Sequence, residues 1–156
     1  MRFSILSMRF SILATIGLLQ VVACTPEGPL APVGTFTLDT ASTRAFTETH
    51  YRTQRGLDEP DARAIGARLA AELQGTVQLG SDGAGVVHVE DSSGTVAHVA
   101  GGWTRTDRHI ALTGREPGSG TLELDWIDGS HALRLEISLG EEEAILIFQA
   151  PSGAVD

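Results

Sequence analysis

The chain has 156 residues, one domain's worth, and 42% of them are apolar, which excludes a disordered or collagen-like polypeptide. Its 20 acidic residues face 11 basic ones, all Arg, and the formal net charge of −9 is the opposite of the basic face that binds nucleic acid or an anionic lipid surface. One Cys excludes an intrachain disulfide framework and a Cys-rich zinc site, and the lack of Lys removes the ammonium a Schiff-base nucleophile needs.

The first segment, MRFSILSMRFSILATIGLLQVVAC, carries Arg2 and Arg9 ahead of an apolar run from Phe10 to Ala23. That is the pattern of a secretory signal, too short for a comfortable membrane span. The hexapeptide MRFSIL stands at 1–6 and again at 8–13, so Met8 is an alternative start that leaves the same pattern intact. The segment closes on Val21-Val22-Ala23-Cys24, which resembles the bacterial lipobox. The resemblance implies cleavage after residue 23, lipidation of Cys24 and attachment to the bacterial envelope by its acyl chains. Thr25 rather than Asp follows the Cys, which in a Gram-negative host implies the periplasmic face of the outer membrane. Removal of 1–23 takes two arginines and no acid, leaving a net charge of −11 over 133 residues. Residues 24–32 then form a tether, with three prolines and a glycine between Thr25 and Pro32.

The folded part, 33–150, begins with an alternating strand from Val33 to Leu38. Residues 40–54 read as a helix with Ala45, Phe46 and Tyr51 along one face, although its threonines weaken it. A second helix opens at Asp58-Glu59-Pro60, buries Ala62, Ile65, Leu69 and Leu73, and stops at Gly75. Seven strands follow at 76–80, 84–91, 95–105, 108–114, 121–127, 130–138 and 143–150, and a tail occupies 151–156. Turn chemistry sets the register. Ser81-Asp82-Gly83 pairs Val77 with Val87, and Ser92-Ser93-Gly94 pairs Val87 with Val99 and Val89 with Ala97. A tight turn at Thr106-Asp107 pairs Trp103 with Ile110. Asp128-Gly129 pairs Leu124 with Leu133, Trp126 with His131 and, outside, Glu123 with Arg134. The final run Ala144-Ile-Leu-Ile-Phe148 reads as buried on both faces. Eight antiparallel strands in meander order curl and close, since an open edge invites another chain. The fold class is mainly β: an eight-stranded antiparallel barrel, with the helical insertion after the first strand capping one end or covering one face.

This layout resembles bacterial lipocalin-like lipoproteins of unknown function. The resemblance rests on the lipobox, on Gly34-Thr35-Phe36-Thr37-Leu38-Asp39, on Gly101-Gly102-Trp103 with Ile110 and Leu112, and on Ala144 to Phe148. It implies a lipocalin-like barrel in the envelope and no particular binding residues, because the Gly-x-Trp of true lipocalins lies on the first strand.

His88 and His98 face each other in the register above, with Glu90 two residues along the same face, a set able to meet Zn²⁺ or Cu²⁺. The bland alternative is a pair of exposed polar residues, and the count of fixed ligands favours it, so no metal or other cofactor is expected. His131 reads as a packing partner of Trp126, and nothing singles out His50 or His109. The sequence holds no Gly-x-Ser-x-Gly elbow, phosphate loop or His-Glu-x-x-His. Glu123 with Asp125, and Glu141-Glu142-Glu143, read as a solvated rim rather than an acid/base pair, and Asp82-Gly83 and Asp128-Gly129 as turn formers rather than calcium ligands. The expected function is non-enzymatic: a membrane-anchored barrel with a filled interior that presents a surface to an envelope partner. The alternatives are a carrier of a small apolar ligand inside the barrel and an inhibitor of a periplasmic enzyme. No nucleic-acid partner is expected.

Overall fold

A computed structural model describes residues 32–151. Cys24, the signal segment, the tether before Pro32 and the tail beyond Pro151 lie outside the described residues. The elements are β1 (Gly34–Leu38), α1 (Thr40–Gln54), α2 (Glu59–Glu72), β2 (Gln74–Leu79), β3 (Ala84–Asp91), β4 (Gly94–Thr106), β5 (His109–Gly114), β6 (Thr121–Ile127), β7 (Ala132–Leu139) and β8 (Glu142–Gln149). The eight strands form a closed antiparallel barrel in sequence order, and both helices lie between β1 and β2.

Two of the expected registers hold as read. Val77 faces Val87, Val87 faces Val99 and Val89 faces Ala97, with a β-bulge between Val89 and Glu90. The other two move by two residues. At β4–β5 the turn falls on Asp107 and Arg108, so Trp103 faces Leu112 and Ile110 faces Arg105. The left-handed position is Asp107, at φ 54°, a conformation Asp tolerates. At β6–β7 the loop takes four residues, 128–131, with Gly129 at φ 84° and His131 at φ 49°. Leu124 therefore faces Leu135, Trp126 faces Leu133, and Arg134 faces Asp125 instead of Glu123. A shift of two leaves every side chain on its expected face, because the side-chain period of a strand is two. That is why the core is built from the expected residues although the pairs differ.

Leu79, Val87, Ile110, Leu112, Leu124, Leu133, Leu135, Leu146 and Phe148 are each at most 2% exposed and belong to one continuous core. On β8 both faces are buried: Ala144, Leu146 and Phe148 join that core, while Ile145 and Ile147 pack outside it with Ala132 and Ile127.

The helices close the wall between β1 and β8. β1 reaches β8 only through Thr37–Gln149 and Leu38–Phe148, leaving the backbone of Glu143 to Ile147 beyond its reach. α1 lies along that edge, capped by the Asp39 carboxylate on the Ser42 N–H at 2.6 Å. Its buried residues are Thr43, Thr47 and Tyr51, four apart; Tyr51 is buried as expected, but Ala45 is exposed and Phe46 is 44% exposed, so the docking face is polar where an apolar one was expected. The Thr43 hydroxyl accepts from Ile147 N at 3.0 Å, that of Thr47 from Ile145 N at 3.1 Å, and that of Tyr51 from Glu143 N at 2.9 Å. Thr47 also donates to Ile145 O, and Asp39 N to Ile147 O. Four helical residues rise about 6 Å and two strand residues about 6.7 Å, so the two repeats match over this length. The threonines that weaken α1 as an isolated helix are the groups that satisfy the edge.

α2 is capped by Asp58 on Asp61 N, with Pro60 in its first turn, as its sequence indicates. It adds Ala62, Leu69 and the cap residue Leu73 to the core. Gly66 lets α1 cross closely, since a Cβ there would sit 2.9 Å from Arg44 O. Gly75 is not the helix stop. It lies inside β2, where a Cβ would sit 2.7 Å from His88 O and 3.3 Å from the Phe148 ring.

Candidate functional site: an outer groove beside α1

A groove of about 940 Å³ lies outside the barrel, between α1 and strands β7 and β8. α1 contributes Phe46, Thr49, His50 and Thr53, β7 contributes Arg134 and Glu136, and β8 contributes Glu143 and Ile145. Its floor is apolar at Ile145 and its rim holds the exposed ring of Phe46. Arg134 bridges Asp125 at 3.3 Å and Glu136 at 3.0 Å.

Glu143 sits in the groove between two cationic or ring-nitrogen partners. One of its carboxylate oxygens lies 2.9 Å from His50 Nε2 and 3.0 Å from Arg55 Nη2. The His50 hydrogen bond, and after it that of Arg55, hold the Glu143 carboxyl below the usual carboxylate range. The His50 side chain is 13% exposed and its ring meets Tyr51 edge to face. Imidazole and carboxylate in a groove are the parts of a general-base pair. The nearest hydroxyls on the same face, Thr49 and Thr53, donate back into their own helix at Ala45 O and Thr49 O. What the trio does is tie the end of α1 to the start of β8, alongside the Arg68–Glu142 ion pair from α2.

Sequence reasoning missed this cluster, because His50 and Glu143 are 93 residues apart and neither belongs to a motif. It placed Glu141-Glu142-Glu143 on a solvated rim; Glu142 and Glu143 instead receive partners from the helices. The pair it did single out is where it was expected. His88 and His98 are directly opposite, with ring centroids 5.5 Å apart, and His88 Nε2 lies 3.4 Å from a Glu90 oxygen. Among the described residues no group of three or more His, Cys, Asp or Glu is gathered as a ready metal site.

His131 contacts Trp126 edge to face at 6.0 Å, but from an exposed loop position, not from the opposite strand. His109, 72% exposed, bonds Asp125 at 2.7 Å. Asp82 accepts from Ala84 N and Asp128 pairs with Arg108, both within turns as expected of turn formers. No family model matches the chain, and neither a curated protein nor a solved structure is significantly similar to it.

Proposed function

We propose that this chain is a lipid-anchored bacterial envelope protein of the lipocalin-like kind, a non-catalytic barrel that works through its outer face. The observation that carries the reading is how the interior is filled. Gly85, Gly101 and Ala97 are small positions where a carrier would find room for a ligand. A Cβ at Gly85 would sit 2.9 Å from Leu112 Cδ1 and 3.2 Å from Leu79 and Trp103, and one at Gly101 would sit 1.8 Å from Thr113 O. The clash at Gly101 is with the backbone of β5 in the barrel wall, but at Gly85 core side chains already occupy the space a Cβ would take, which supports a solid barrel over a carrier. Exposed Phe46 beside an apolar groove supports a partner that docks on the α1 side.

Two measurements test this. Labelling with a radioactive fatty acid is expected to mark the wild type and not Cys24→Ala. A photo-crosslinking residue at position 46 is expected to trap one envelope protein, while the same residue at exposed Asp82 traps none. Native mass spectrometry that finds a stoichiometric lipid in the barrel, with no crosslink at 46, would replace the reading with a carrier. A crosslinked partner that proves to be a periplasmic enzyme, inhibited by the barrel, narrows it to an inhibitor.

A further inference from the structure

We propose that His88, His98 and Glu90 form a surface site for a divalent transition-metal ion of the Zn²⁺ or Cu²⁺ class. The register puts the two histidines directly opposite on β3 and β4, with side chains turned away from the core that Val87 and Val89 enter. Opposed residues of an antiparallel pair have Cβ atoms about 5 Å apart, a separation one ion can bridge. The imidazole rings stand 5.5 Å apart between centroids at 71°, so they are not stacked and each is able to turn an edge to a shared ion.

Glu90, beside His88 on the same strand, supplies the third donor once the side chains turn toward one ion. Two ligands bonded to one tetrahedral zinc at about 2.0–2.1 Å lie about 3.3 Å from each other. His88 Nε2 and Glu90 Oε2 are 3.4 Å apart, long for a hydrogen bond and close to the spacing that a shared ion requires. The side chains of His88 and Glu90 are 38% and 50% exposed, so water fills the remaining positions. No arginine among the described residues forms an ion pair with Glu90, and the described residues carry nine arginines against eighteen carboxylates, a balance that favours a cation. Imidazole with a carboxylate suits zinc and copper better than calcium or magnesium, which take oxygen donors. The site is independent of the groove beside α1 and of the envelope reading.

The test uses the full-length chain in detergent, titrated with Zn²⁺ by calorimetry and with Cu²⁺ by electron paramagnetic resonance. One ion per chain is expected, with hyperfine structure from two imidazole nitrogens. His88→Ala and His98→Ala are each expected to weaken binding by about tenfold or more and to leave a single nitrogen. Glu90→Gln is expected to weaken binding about tenfold while both nitrogens remain. His109→Ala, which removes another exposed imidazole, should leave the titration unchanged. Absence of saturable binding, or binding that survives the His88→Ala, His98→Ala double variant in a chain with wild-type circular dichroism, would overturn the proposal. Wild-type affinity in Glu90→Gln would overturn the role of Glu90.

Discussion

Among the described residues, two strand edges of this barrel lack a strand beside them, and the molecule treats them differently. On β8 the edge from Glu143 to Ile147 lies under α1, Ile145 and Ile147 are buried, and every outward backbone group from Ile145 to Ile147 that turns that way finds a side-chain or backbone partner. On β4 the first half, from Gly94 to Val99, extends past the last β5 pair at Gly101–Gly114, with Gly94, Thr95 and His98 exposed and no described strand on that side. A buried donor left unmade costs far more than an exposed one, so only the first edge had to recruit partners. The second is blunted by the bulge beside Glu90 and needs no cover. A barrel can therefore be closed by a helix, provided that helix carries hydroxyls at the spacing of a strand.

Breaking the α1 seam should have the largest effect. Thr43→Val with Thr47→Val keeps the shape but removes both hydroxyls, stranding the N–H groups of Ile145 and Ile147 and the carbonyl of Ile145. At about 1–3 kcal/mol for each of these buried groups left unpaired, the double variant should lose roughly 3–9 kcal/mol in urea unfolding. Thr47→Val alone, which strands the N–H and the carbonyl of Ile145, should lose about 2–6 kcal/mol, and Thr47→Ser, which keeps the hydroxyl, clearly less. Equal losses for Val and Ser would mean that packing, not the hydrogen bonds, closes the seam.

The same seam marks how far the sequence could be read. Alternation and turn residues disclosed each strand and its inward face, because a two-residue register error leaves the face unchanged. The α1 helix was legible as a helix, but its docking face was not. Thr43 and Thr47 look unfavourable when only helix propensity and apolar spacing are weighed, and their use appears only against β8, about a hundred residues on. The His88–His98 pair was legible because a short turn joins its strands. The His50–Glu143–Arg55 trio was not, because the chain between holds most of the barrel.

That trio makes the seam sensitive to acid. Glu143 has a folded pKa below its ordinary value, owing first to His50 and then to Arg55. The unfolded chain therefore binds the proton first as pH falls, and the stabilisation is complete above the ordinary carboxylate pKa and fades as pH drops through the lower folded value. Unfolding measured from about pH 6 down to about pH 3 should show wild type converging on Glu143→Gln at the acid end. A constant difference between the two across that range would deny the linkage. The change should be modest, since the side chain is 29% exposed and water screens the pair.

The smallest energetic effect is expected at the open edge, and there hydrogen exchange gives the sharper contrast. Ala100 O accepts from Arg115 N on the side β5 would occupy, so His98, two residues earlier in the regular part of β4, turns its N–H the same way, toward solvent. The His98 amide should exchange orders of magnitude faster than those of Ile145 and Ile147, although all three sit in long strands of one barrel. Thr95→Lys, on exposed β4, should change stability by no more than about 0.5 kcal/mol and leave that ordering intact. Thr47→Val should instead bring Ile145 toward the fast class while Ile147, still held by Thr43, stays slow. If Ile145 keeps its protection in Thr47→Val, the α1 hydroxyls are incidental to closure and burial alone separates the two edges.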